Sequence, residues 1–160
     1  MTEMSRIVRT ITSIAFPFSM IFGLYIIAHG HLTPGGGFQG GAVVASACAM
    51  ILVAFGSKWT LKKIKEQQLS VLESVGAICF IALAFFGLIF GIAFFNNFLV
   101  GNEFLFGVIP KGLSNINTGG VLPLMNFAVG MKVVAGLFVI VLVMAYATSE
   151  YKQNPRGGHK

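Results

Sequence analysis

Aspartate is absent from this chain, and charge of either sign is scarce: five glutamates and eleven lysines and arginines make up 10% of 160 residues. A soluble domain carries about 25% charged residues, so the composition excludes an ordinary water-soluble domain. Cysteine is nearly missing as well. Cys48 and Cys79 both fall in apolar runs, which argues against a disulfide or metal framework and for small packing side chains. The sequence offers no metal-ligand set, no nucleophile paired with a base and no cofactor motif, so it does not read as an enzyme.

What the chain has is apolar length. No charge interrupts residues 10–28, 32–57, 74–101 or 113–131. About 20 apolar residues cross a hydrocarbon core of ~30 Å. The expected fold is therefore an all-α integral membrane protein, a single domain over 1–160. Its four transmembrane helices are expected near 8–28, 38–56, 71–95 and 121–147, in a multi-pass chain of the cell membrane. The first span is longer than the usual ~7–15-residue apolar part of a signal peptide and is read as retained. The tail 152–160 is expected to be disordered.

The net charge of +6 does not point to nucleic acid, because its distribution follows the spans. Arg6 and Arg9 precede the first helix. Lys58, Lys62, Lys63 and Lys65 fill the second connection, and Lys152, Arg156 and Lys160 close the chain. All of these fall on one side of a four-span arrangement, which places both termini in the cytoplasm. Lys111 falls on the other side, and Lys132 lies inside a span.

Between the first two spans runs His29-Gly-His-Leu-Thr-Pro-Gly-Gly-Gly-Phe-Gln-Gly-Gly41. Glycine admits sharp turns and close backbone contact. Gly35–Gly40 matches G-x-G-x-x-G, but a dinucleotide site needs a preceding strand and an acidic residue about 20 positions on. Here apolar spans flank the motif, and Glu66 lies across the membrane. Gly41, Ala45 and Ala49 line one face of the second helix, and Gly87 and Gly91 form a GxxxG pair in the third. Such stripes favour close helix packing and suit a member of a larger assembly. Residues 96–120 hold Asn96, Asn97, Asn102, Asn115, Asn117, Gly119 and Gly120, all turn and cap residues, around an apolar insert at 104–109.

Few residues could carry chemistry. Lys132 lies about eleven residues into the fourth span, roughly 16 Å deep. There a lysine costs at least about 2.5 kcal/mol. It could serve an ion path, or it could be paired structurally. Glu73 is the one acid in or beside a span, expected near the cytoplasmic end of the third. It could line an ion entry or simply favour the first helical turn. His29 and His31, at the outer end of the first helix, could relay protons or only make hydrogen bonds. No metal site is expected from them. Pro17 is expected to kink the first helix.

The run Gly30-His31-Leu32-Thr33-Pro34-Gly35-Gly36-Gly37-Phe38-Gln39-Gly40-Gly41 resembles the G-H-x-x-P-G-G-G-F-x-G-G signature of the MnhB/MrpB family, which supplies one of the membrane subunits of multisubunit Na+/H+ antiporters. The same module recurs in archaeal membrane-bound hydrogenases and sulfane reductases. The resemblance implies a non-catalytic membrane subunit without a cofactor of its own. It would sit in the bilayer beside antiporter-like and complex I-like proteins, with Ni-Fe or Fe-S centres in partner subunits and Na+ or H+ as the transported ion. Simple bacterial members carry an acidic F-D-x-G pattern in the last span. Here Asn126 stands about where that acid would be and Lys132 is added, which looks more like the archaeal hydrogenase or sulfane-reductase branch. Two alternatives stay open: the MnhB-type subunit of a stand-alone antiporter, and a purely structural subunit with no ion path.

Overall fold

The computed structural model describes residues 4–32, 34–90, 93–100 and 119–153, and among them every regular element is helical. The elements are α1 (Arg6–Ala28), α2 (Gly37–Phe55), α3 (Ser57–Lys63), α4 (Glu66–Phe90) and α5 (Leu122–Gln153). α1, α2, α4 and residues 122–149 of α5 are each long and apolar enough to cross a membrane. Three hydroxyls within these runs are satisfied locally. Ser46, Ser74 and Thr148 each donate to the carbonyl four residues back, at 2.8–3.0 Å. That is the arrangement lipid demands of a polar group with no water nearby.

The helices stand in one row, α1–α2–α5–α4, with α2 and α5 as the inner pair. Small residues set the spacing. A Cβ on Gly40 would lie 2.7 Å from the Gly23 carbonyl of α1, and one on Gly41 would lie 2.9 Å from the Gly130 carbonyl of α5. α2 therefore lies backbone to backbone against both neighbours. On the other side of α5, a Cβ on Gly76 of α4 would lie 2.8 Å from the Ala128 carbonyl. Lipid removes most of the hydrophobic incentive for helices to associate, so this closeness, through dispersion contacts, is what holds the row together. Away from the glycine contacts a small core of Leu52, Leu69, Phe138, Leu142 and Ala145 fills the space between α2, α4 and α5.

The spans differ from expectation at their ends. α4 begins at Glu66 rather than near 71, with that carboxylate in the first turn where the helix dipole favours it. It has ended by 95, because the chain turns back on itself. Phe95 takes φ +63, its N–H donates to the Ala84 carbonyl at 3.3 Å, and the rings of Phe94 and Phe95 pack on Phe85 and Phe80. Gly87 thus makes room for the returning backbone at Asn96, not for another helix. α5 runs to Gln153, so residues 152 and 153 of the expected tail are helical. Residues 154–160, Lys111 and the insert at 104–109 lie outside the described residues.

The short α3 was not expected. Gly56 adopts φ +85, which stops α2, and its carbonyl then accepts from the N–H and the hydroxyl of Thr60, starting a new helix. Trp59 stacks on Phe55 with centroids 4.9 Å apart, and the Arg9 guanidinium lies 5.9 Å from the centre of the same Phe55 ring. Met4 N–H meets the Ala54 carbonyl at 3.3 Å. The start of α1, the end of α2, α3 and the start of α4 therefore lie at the same end of the helix axes, together with Arg6, Arg9, Lys62, Lys63 and Lys65. This is the basic end; the glycine-rich connection marks the other.

Candidate functional site

The connection between α1 and α2 is built around Asn126 of α5. His29 ends α1: its N–H donates to the Tyr25 carbonyl at 3.0 Å and its ring stacks on Tyr25 at 4.3 Å between centroids. Leu32 N–H returns to the His29 carbonyl at 2.9 Å. Gly35 takes φ +148, a conformation side chains disfavour. The neighbouring glycines form a collar. A Cβ on Gly30 would lie 2.7 Å from Asn126 Nδ2, one on Gly36 would lie 3.5 Å from Oδ1, and one on Gly37 would strike the Asn126 carbonyl. The His31 ring covers Gly119, ahead of α5, where an added Cβ would lie 2.8 Å from Cδ2. Both histidines are half-buried with buried Nδ1 atoms. Pro34 is exposed, and Phe38 points outward at 63% exposure. Pro17 is also exposed, and α1 runs through it as a single helix.

Lys132 and Glu73 meet the same seam, between the antiparallel α4 and α5. Gly76 lies against the backbone of Lys132: an added Cβ would be 2.9 Å from its nitrogen and 3.1 Å from its Cβ. Four residues on, Gly136 faces Glu73, whose Oε1 would be 3.5 Å from a Cβ placed there. Gly136 is fourteen residues from Leu122 and thirteen from Ser149, so it marks the middle of the 28-residue apolar stretch of α5. The half-buried Glu73 carboxylate therefore faces the middle of the apolar stretch of α5, two turns in from the start of its own helix at Glu66.

The two charges do not form an ion pair with each other. Helix geometry gives the reason. Each Cα–Cβ bond tilts toward its own helix N-terminus. On antiparallel helices, Lys132 then leans toward the glycine-collar end and Glu73 toward the basic end. Lys132 is exposed on the surface of the chain. Along α5, Asn126 is six residues, or about 9 Å, from Lys132. The histidines and the charged seam are thus successive levels of one molecule, not one cluster. No group of three or more His, Cys, Asp or Glu side chains converges among the described residues. Cys48 and Cys79 are both free, on α2 and α4.

Sequence reasoning did not single out Gly76. The signal was present, because a glycine inside an apolar helix costs about 1 kcal/mol relative to alanine and needs a packing reason.

Four apolar helices locked by glycine contacts define a multi-pass membrane protein. The chain belongs to the family described as a domain related to the MnhB subunit of Na+/H+ antiporters, whose model matches residues 7–148. An uncharacterized protein of Methanocaldococcus jannaschii is 40% identical over 130 residues, covering 78% of this chain and 47% of that protein. The Staphylococcus aureus putative antiporter subunit mnhB2 is 30% identical over 98 residues, covering 61% of this chain and 69% of that protein. Among solved structures, a chain of the membrane-bound sulfane sulfur reductase, an archaeal respiratory membrane complex, superposes with a TM-score of 0.72 and 33% identity. That match covers 90% of this chain and 59% of the reductase chain. The chain thus spans about half the length of the Methanocaldococcus relative and less than two thirds of the reductase chain.

Proposed function

We propose that this chain is a non-catalytic membrane subunit of an Mrp-type Na+/H+ translocating module. The module would be built into an archaeal respiratory complex of the sulfane reductase or membrane-bound hydrogenase kind and would couple redox energy to ion movement. The observation that carries this reading is the match to the sulfane reductase chain over 90% of this chain. In this reading the basic end faces the cytoplasm, following the positive-inside bias. The glycine collar is then on the outer side. Antiporter-like and complex I-like proteins are the neighbours, and Ni-Fe or Fe-S centres belong to those partners. Glu73 and Lys132 are the coupling residues, because an intramembrane ionisable group is costly unless it serves or is paired. His29 and His31 stand at the outer entry, at the end of α1.

The staphylococcal relative favours a second reading, the MnhB-type subunit of a stand-alone antiporter. Purification of the complex from native membranes, followed by mass spectrometry, separates the two. Hydrogenase or sulfur-reductase subunits are expected to co-purify. An antiporter set alone would overturn the respiratory reading, and recovery of the chain without any ion-transport subunit would overturn both.

A further inference from the structure

Lys132 stands ten residues from the start of α5 and seventeen before Ser149, about 15 Å and 26 Å along the helix. The reach of a lysine side chain, about 6 Å, closes neither gap. Its backbone and Cβ lie against Gly76, which offers no side chain of its own, and beyond that the side chain is exposed. Glu73 of α4 leans the other way along the seam and does not pair with it. On α4, Leu72 and Val75, within a turn of Gly76, are exposed and apolar. A positive charge is therefore held open on an apolar face, at a depth where an unpaired ammonium is unstable.

We infer that the α4–α5 face around Lys132 is the contact for a transmembrane helix of another subunit, and that this helix presents a carboxylate to the Lys132 ammonium. Charge complementarity selects the occupant. A purely apolar helix or lipid tails would leave the ammonium desolvated without compensation. A carboxylate at that level supplies both the counter-charge and charge-assisted hydrogen bonds. The apolar residues beside it supply the packing surface. The inference needs the chain to span a bilayer with protein neighbours, and it does not depend on redox coupling.

The test uses the whole complex from native membranes, with p-benzoylphenylalanine in place of Lys132. On irradiation, residue 132 is expected to crosslink to a membrane-spanning peptide of a different subunit that contains Asp or Glu. Crosslinks to lipid alone, or to a peptide without a carboxylate, overturn the inference. In parallel, Lys132→Glu is expected to reduce the co-purified amount of that subunit about tenfold or more, while Lys132→Arg retains it. Reversing the partner carboxylate to lysine should restore assembly with Lys132→Glu. Equal recovery with Glu and Arg at 132 overturns the inference, whichever complex the chain proves to belong to.

Discussion

The side-chain oxygen of Asn97 accepts the Val121 N–H at 2.8 Å, capping the start of α5 from 24 positions earlier in the chain. The same amide donates to the Gly119 carbonyl at 2.9 Å, so one side chain holds both sides of Gly120, whose φ is +59. The first N–H groups of a helix have no partner within it, and this clamp also ties the turn after α4 to the entry of α5. Asn97→Ala is expected to lower stability by about 2 kcal/mol, read as a reduced thermal midpoint of the protein in detergent. Asn97→Asp keeps the acceptor and should fall between the two. An unchanged midpoint for the alanine variant would show that the clamp is dispensable.

Glycines at the two interfaces of α5 should respond differently. A Cβ at Gly37 strikes the Asn126 backbone, which cannot move without shifting α5. Gly37→Ala is therefore expected to cost about 1–3 kcal/mol and to reduce the yield of folded protein. At Gly136 the nearest atom to an added Cβ is the Glu73 oxygen at 3.5 Å, an ordinary contact. Gly136→Ala should fold normally, with melting curves of the two variants as the comparison.

Glu73→Gln preserves side-chain volume while removing the charge. If the carboxylate serves the ion path, inverted vesicles carrying the variant should lose about tenfold or more of their Na+-dependent proton movement with the complex still assembled. Glu73→Asp should retain part of it. Full transport by the glutamine variant removes Glu73 from the path.

Orientation is open to direct labelling. With the native cysteines replaced, Lys62→Cys at the end of α3 should react with an impermeant maleimide in inverted vesicles and stay unlabelled in intact cells. The opposite pattern would turn the chain over and place the glycine collar inside.

Much of this arrangement was legible in the sequence because lipid makes simple demands. Long uncharged runs marked the four spans, and the basic residues grouped themselves at one end. The glycine run between α1 and α2 also declared its role, since its small residues pack against α2's neighbours. Less legible were features that depend on which helices become neighbours. Glu73 looked like a first-turn residue because α4 was expected to start five residues later, whereas it lies two turns in from Glu66. The setting of Lys132 depends on Gly76, whose packing reason appears only once α4 and α5 are neighbours. The fold-back at Phe95 depends on ring contacts between 80 and 95, which periodicity does not register. Gly87, half of an apparent helix-pairing motif, was used for that turn.

The row of spans has a further consequence. Among the described residues the row has two broad faces, and between its helices lie glycine contacts and the Leu52–Phe138–Leu142 core. A conduit that this chain helps to form would then run along its flank, with the opposite bank supplied by a neighbour. The chain would then act as one wall of a shared passage, and its selectivity would belong to the boundary rather than to either protein alone.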